Sequence, residues 1–390
     1  MRKNIFICLI VLLLTGCYNY EELNDIAIIS AFSIDYSDGE YKVSYQIVNS
    51  NNNNNSNGFE QASFVVYDSP AISLEESARK ATLITSKRLY ASHLKVLVLS
   101  EEVAKNHLAN VVDFIYRNPD VRNEFFVLIS KDSNPRDVLE VITPLVNLSS
   151  EDIANSLLDS DNILGMNEIV KFSDLLNKYL NPKMEITIPS LEIIGNKNGG
   201  EDTENLKTSN YNANVRISTM SVFKNNKFRG YLSEKESLSY SFIIGNLNKT
   251  IIRYNCDDSN YAIADLTDVK SSLDAKKDGK IILNIKGRGA IAEVNCKLDL
   301  TKPKVIEKMN NDLNKSIEKM IKSAFKDIME KYDSDIYGIE DLYYKKNNKY
   351  YNKIKDNWDE YFRNIKLEVN SDVNLFAKGN GLGGIYEMED

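Results

Sequence analysis

PKVIEKMNNDLNKSIEKMIKSAFKDIMEK, running from Pro303 to Lys331, carries the strongest periodic signal in the chain. Ile306, Met309, Leu313, Ile317, Met320, Ala324 and Ile328 recur at steps of three or four. That spacing draws one apolar stripe along a helix roughly 40 Å long, at about 1.5 Å per residue. Pro303 suits the first helical turn, where its missing N–H goes unused. A single stripe of this width fits a helix lying on one face of a sheet, with its methionines as gap-fillers and not a cofactor box. The fold is read outward from here.

Downstream, Glu340–Lys346 and Lys353–Phe362 have helical spacing, and Ile365–Phe376 reads as a strand that closes the sheet beneath the long helix. Upstream, Thr250–Cys256, Ala262–Ser271 and Lys280–Cys296 read as strands, with Lys277-Asp278-Gly279 as a turn, and suit an antiparallel meander. Before them, Val215–Phe223 and Phe228–Leu232 flank Asn225-Asn226 as a hairpin. Ser233 and Glu236 form a capping box for a helix ending near Gly245.

The first half alternates element types. Ile26–Asp35 and Tyr41–Ile47 form a hairpin around Ser37-Asp38-Gly39. Asn51 to Asn55 is an asparagine run, read as a loop, and Phe64–Tyr67 is a third strand. Ser73 and Glu76 cap a helix expected to reach about Leu89. Leu94–Leu99 is a buried strand, followed by a helix capped by Ser100 and stopped by Pro119. Phe125–Ser130 is a strand, then comes a short helix opened by Pro135 and ended by Pro144. Glu151–Leu158 and Glu168–Leu180 are helices, and Met184–Ile194 is a strand. Gly195–Asn212 has almost no apolar residue and is the best boundary or long loop. The fold class is therefore α+β, in two to three domains, each a mostly antiparallel or mixed β-sheet covered by helices. The divisions are a signal peptide at 1–16, an N-terminal α/β region at 17–195 and a polar linker or loop at 196–212. A C-terminal sheet with the long helix follows at 213–378, then a flexible tail at 379–390.

The signal peptide rests on spacing. Arg2 and Lys3 precede an apolar run from Ile5 to Leu14, too short to span a bilayer, which takes about 20 residues. Leu14-Thr15-Gly16-Cys17 then has the layout of a bacterial lipobox. Small residues admit the peptidase, and only the Cys17 sulfur can take a diacylglycerol as a thioether. Two or three acyl chains hold a protein on a membrane stably, at about 0.8 kcal/mol per buried CH₂. Cleavage before Cys17 takes away two of the 48 basic residues. Against 56 acidic ones this leaves a net charge of −10. That balance argues against nucleic acid and against a polybasic grip on anionic lipid; the acyl chains would do the anchoring. With 43% hydrophobic residues and 22 tyrosines the mature chain can build a core.

Four cysteines are present. Cys8 leaves with the signal and Cys17 takes lipid. Cys256 and Cys296, each near the end of a strand-like run, are open to two readings outside the cytoplasm: a disulfide, or two separate half-buried thiols.

Enzyme chemistry finds little support. His93 and His107 are the only histidines, and both read as structural or exposed. There is no Cys/His cluster at zinc spacing, no Gly-x-Ser-x-Gly elbow and no phosphate-binding loop. The glycine-rich tail Gly379–Gly384 has too little chain after it to open a helix onto a phosphate. Tyr343, Tyr344, Tyr350 and Tyr351 read either as a contact surface or as a partly buried amphipathic edge.

Three segments together carry a family resemblance. The first is Gly16-Cys17-Tyr18-Asn19-Tyr20-Glu21-Glu22-Leu23-Asn24-Asp25-Ile26-Ala27 with Ser33-Ile34-Asp35. The second is Ser92-His93-Leu94-Lys95-Val96 through Arg117-Asn118-Pro119-Asp120-Val121-Arg122. The third is Asp299-Leu300-Thr301 with the long helix, then Asp335-Ile336-Tyr337-Gly338 and Lys355-Asp356-Asn357-Trp358. In order and spacing the chain resembles the Ger(x)C family, the lipoprotein C subunits of spore germinant receptors. It departs from the family's usual Trp-Asp after the lipidated cysteine, with Tyr18-Asn19, and from its frequent Cys-Pro, with Cys256-Asp257. The resemblance implies three domains, each a sheet with helices, lipid on Cys17, and no cofactor beyond that covalent diacylglycerol and N-acyl lipid. It implies a place on the outer face of the cell membrane or spore inner membrane, and membrane A and B subunits as partners in nutrient-triggered germination. A solute-binding lipoprotein of an ABC importer is the alternative from another class; it would need two α/β lobes around a ligand cleft.

Overall fold

The computed structural model describes residues 25–49, 62–143, 145–196, 200, 201, 205, 212–257 and 259–377. The expected signal peptide and Cys17, the asparagine run, Pro144 and the glycine-rich tail lie outside the described residues.

β1 (Ile26–Ser37) and β2 (Glu40–Val48) form the expected hairpin, with Tyr36 opposite Tyr41. Asp38 and Gly39 take φ of 54° and 82°, the left-handed pair that a two-residue hairpin turn requires. β3 (Phe64–Ala71) pairs antiparallel with β2. Helix α1 (Leu74–Lys80) is capped by Ser73, whose Oγ accepts from Glu76 N at 3.2 Å.

The helix expected to reach Leu89 stops at Lys80. A 3-10 turn follows at Ala81–Leu83, then the short strand β4 (Arg88–Tyr90). Thr82, Ile84 and Thr85 are β-branched, and two of their hydroxyls turn back on the chain: Thr82 Oγ1 donates to Arg79 O, and Thr85 Oγ1 to Lys87 O. Both features compete with a continuing helix.

β5 (Val96–Ser100) runs parallel to β1. Ser100 Oγ accepts from Val103 N, opening a π-helical turn (Val103–His107) that runs into α2 (Leu108–Arg117). β6 (Phe126–Ser130), α3 (Pro135–Glu140), α4 (Ser149–Asp159), a π-helical turn (Ser160–Leu164) and α5 (Phe172–Leu180) follow. The helix expected from Glu168 begins four residues late. Val170 and Lys171 are drawn into pairing with β6 instead, with Val127 N donating to Val170 O at 2.9 Å.

β7 (Thr187–Gly195), β8 (Ala213–Lys224) and β9 (Lys227–Tyr231) complete a sheet ordered β3-β2-β1-β5-β6-β7-β8-β9, with β4 on the side of β1. Its centre is parallel and its flanks antiparallel. Segment 196–212 joins two neighbouring strands of this sheet, Gly195 lying opposite Ala213. β5 is buried on both faces, as a central parallel strand must be. Val96 and Val98 pack under α3 and α4 with Val138, Leu139, Ile153 and Leu157. Leu97 and Leu99 face the other way, into the core shared with the second sheet.

Helix α6 (Glu234–Ile244) has the expected capping box and ends on Gly245 at φ 76°. β10 (Thr250–Asn255), β11 (Tyr261–Ala275) and β12 (Lys280–Val294) form the antiparallel meander. Helix α7 (Pro303–Tyr332) matches the expected periodic stretch to within one residue. It buries Met309, Leu313, Ile317, Ala324 and Ile328 along the stripe, each worth roughly 1.5–3 kcal/mol for the larger side chains.

Helices α8 (Ile339–Lys346), α9 (Asn348–Ile354) and α10 (Trp358–Arg363) lead to β13 (Lys366–Ala377). The helix expected over Lys353–Phe362 is broken by a 3-10 turn at Lys355–Asn357. β13 pairs parallel with β12, because a long helical crossover separates them.

The outer edge of β13 is met by α7. Asn310 Oδ1 accepts from Leu375 N at 2.7 Å, and Asn314 Oδ1 from Val373 N at 2.9 Å; Asn314 Nδ2 donates back to Val373 O. Glu318 Oε1 takes Ser371 N at 3.3 Å. Steps of four along a helix rise about 6 Å and steps of two along a strand about 6.6 Å, so the two rows stay in register.

Candidate functional site: a groove over the first hairpin

Helices α1 and α2 cover the same face of the β1–β2 hairpin and approach each other above it. They leave a groove of about 1130 Å³. Its floor is Ile29, Phe32 and Ile34 from β1 and Tyr41, Val43 and Tyr45 from β2, with Phe114 of α2 on the wall. Phe32 and Ile34, like Tyr41, Val43 and Tyr45, face inward because strand residues alternate faces, and the bulge between Ile29 and Ala31 turns Ile29 to the same side. Tyr45 packs against α1 with its hydroxyl 3.2 Å from Ser77 Oγ, and burial pushes its phenol up to about 12.

The rim is charged and self-paired. Arg79 meets Glu75 at 2.8 Å, Arg117 meets Asp113 at 2.8 Å, and Arg88 meets Asp120 at 3.5 Å. These pairs are exposed, so each adds little stability. At one end the π-helical turn brings His107 onto Tyr36, ring centroids 3.7 Å apart, with Tyr41 Oη 3.4 Å from its Nδ1. An apolar floor inside a ring of neutralised ion pairs is chemistry for contact. Among the described residues there is no group of three His, Cys, Asp or Glu side chains able to hold a metal.

The second family-like segment gathers at the other end of the groove. Ser92 Oγ donates to Asp120 O at 3.1 Å, and Lys95 N donates to Ser30 O. Arg88 pairs in register with Ile26, the first residue of β1. The segments around the long helix open helices. Asp299 takes Thr301 N at 3.0 Å and Lys302 at 2.9 Å; the hydroxyl of Thr301 and that lysine hold its carboxyl at about 2. Asp335 accepts Ile339 N at 3.0 Å and Glu340 N at 2.8 Å at the start of α8, and burial pushes it up to about 7. Trp358 packs edge-on against Tyr343.

Two polar clusters tie the elements together. Lys224 at the end of β8 reaches Asp333 at 2.6 Å, and Arg363 of α10 reaches the same carboxylate at 2.6 Å. Glu168 takes Lys178 at 2.9 Å and the buried Tyr240 hydroxyl at 2.7 Å. Sequence reading named neither cluster: Lys224, Asp333 and Arg363, like Glu168 and Tyr240, lie far apart in the chain and meet only through the packing of the sheets and helices.

Of the residues singled out from sequence, Cys256 and Cys296 come together at the ends of β10 and β12, with Cα atoms 6.5 Å apart. That separation lies within the disulfide range. His107 packs on tyrosine and His93 is exposed. Tyr343 and Tyr351 are buried, Tyr350 is half-buried and only Tyr344 is exposed, which favours the partly buried edge.

Two family models match the chain in tandem. One is described as the spore germination protein N-terminal domain, over residues 19–193; the other as spore germination B3/GerAC like, C-terminal, over residues 218–379. Spore germination protein KC of Bacillus subtilis (strain 168) is 26% identical over 387 residues, covering 96% of this chain and 95% of that protein. Spore germination protein GerQC of Bacillus cereus is 19% identical over 385 residues, covering 97% and 99%. The crystal structure of the GerBC protein superposes with a TM-score of 0.53 at 17% identity, over 88% of this chain and 96% of that one, a likeness of fold.

Proposed function

The chain belongs to the GerAC family of spore germination proteins, the C subunits of germinant receptors, and from that premise we propose that it is a lipid-anchored, non-catalytic receptor subunit. The observation that carries the reading is the tandem order: a lipobox ending at Cys17, then one family domain after the other to residue 379. Cys17 takes a diacylglycerol thioether and, after cleavage, an N-acyl chain. The body stands on the outer face of the cell membrane or spore inner membrane, with the sheet boundary after β9 and not at 196–212. There it assembles with membrane A and B subunits, or couples their signal, when nutrient is sensed. No helix among the described residues is long and apolar enough to cross a membrane; in this reading the acyl chains on Cys17 are the anchor. Cys256 and Cys296 form a disulfide on that oxidising side.

The importer reading is set aside: the second half is an antiparallel meander with one parallel edge strand under a long helix, not a second α/β lobe. The test is genetic. Deleting the gene, or changing Cys17→Ala, abolishes nutrient germination through the cognate receptor, and mass spectrometry finds the mature N-terminus acylated. Normal nutrient germination of the Cys17→Ala spores overturns the proposal.

A further inference from the structure

The 3-10 turn after α1 holds two adjacent apolar side chains out in solvent: Leu83 is 85% exposed and Ile84 45%. Isolated exposed leucines are ordinary and need no explanation. This pair differs in its surroundings. From Ser77 to Ser100 the chain carries Arg79, Lys80, Lys87, Arg88 and Lys95 and no acid, within a protein of net charge −8. The acids that face these cations come from elsewhere: Glu75 on Arg79, Glu76 on Lys80 and Asp120 on Arg88.

Position adds a second, independent observation. The turn packs beside β4, and Arg88 of β4 is the register partner of Ile26. Ile26, the first residue of β1, stands only nine positions after Cys17. Nine residues, whatever their conformation, span about 32 Å at most. The surface around Ile26 is thus the part of the body that the anchor keeps closest to the bilayer.

We propose that the Ala81–Arg88 turn is a membrane-interface contact: Leu83 and Ile84 enter the boundary between headgroups and acyl chains, and the flanking Lys80, Lys87 and Arg88 lie among the phosphates. Exposed aliphatic side chains ringed by long cations are the side-chain set that suits this boundary. The contact does not anchor the protein, whose overall charge opposes anionic lipid. It orients a body already held by acyl chains, and fixes which way the groove between α1 and α2 faces. This rests on the lipid anchor at Cys17.

The test uses the acylated protein reconstituted in phosphatidylcholine–phosphatidylglycerol vesicles containing brominated lipid. The chain has a single tryptophan, Trp358, which is buried and serves as the background signal. Leu83→Trp places a reporter on the turn, and Lys277→Trp places one on the β11–β12 turn of the second sheet. The expected result is bromolipid quenching at least threefold stronger for the position-83 reporter, reduced when Ile84→Asp is added, with acrylamide quenching in the reverse order. Protein that floats with the vesicles but shows equal quenching at both positions overturns the contact and leaves the anchor standing. Protein that does not float refutes both. Protection of position 83 that appears only once the A and B subunits are present assigns the turn to a protein partner and also overturns the contact.

Discussion

Changing Asp333→Asn removes the charge that joins the two sheets while keeping the backbone conformation. Asp333 ends α7 at φ 50°, a left-handed position that asparagine tolerates at least as well as aspartate. Its carboxylate takes Arg363 from α10 and Lys224 from β8, so one side chain ties the first sheet to the chain segment feeding β13. The Arg363 hydrogen bond, helped by Lys224, holds the carboxyl at about 2 against an ordinary 3.8. At 1.36 kcal/mol per pH unit that difference is about 2.4 kcal/mol at full strength. The carboxylate is 36% exposed, and solvent screening reduces this to about 1 kcal/mol. The folded-state value is depressed, so the contribution is full above pH 3.8 and is lost as pH falls through about 2. Urea denaturation of wild type and Asp333→Asn, from pH 7 downward, is the assay. The gap between their unfolding free energies should be about 1 kcal/mol at pH 7 and close as pH approaches 2. Adding Arg363→Met should give less than additive loss. Equal stability at pH 7, or a gap unchanged down to pH 2, would refute the argument.

Asp335, two residues on, titrates in the opposite sense. Burial raises it to about 7, so its contribution is full below pH 3.8 and is lost as pH rises through about 7. Asp335→Asn keeps an acceptor for the Ile339 and Glu340 N–H groups and should flatten the decline in stability over that range in pH-dependent melting. A Cys256–Cys296 disulfide across a separation of 40 residues should contribute about 4 kcal/mol in the chain-entropy account. Urea midpoints with and without reductant measure it, and two free thiols in the native protein would remove the bond from the account. Gly165→Ala should destabilise by about 2 kcal/mol. Gly165 sits at φ 64°, and a Cβ there would collide with Leu247 Cδ1 and lie 3.0 Å from the Lys249 carbonyl. Thermal unfolding of Gly165→Ala against wild type reads it directly.

Element type was legible wherever the local pattern and the tertiary demand agreed. The α7 stripe, the Asp38-Gly39 and Asn225-Asn226 turns and the Ser233 capping box are local signals, and each forms as read. Boundaries failed where a neighbour in space competed. Residues 168–171 carry helical spacing, yet Val170 and Lys171 serve β6. Thr82 and Thr85 end α1 through their own hydroxyls, a cue present in the sequence but outvoted by the longer apolar pattern. Cys256 and Cys296 were read as a candidate pair because each ends a strand; that β11 alone lies between those strands is a matter of topology. The groove was not legible at all. Its floor reads like any buried hairpin, and the space above it depends on how α1, α2 and the β4 segment pack around one another.

The meeting of α7 with β13 has a bearing on how this protein keeps to itself. A bare strand at a sheet margin is a template that any extended chain can read, including another copy. Here the amides of Asn310 and Asn314 already speak for Val373 and Leu375, so the margin is occupied by the molecule's own helix. Under the proposed anchor, which would confine copies to two dimensions, such self-occupation disfavours strand-swapping at this margin.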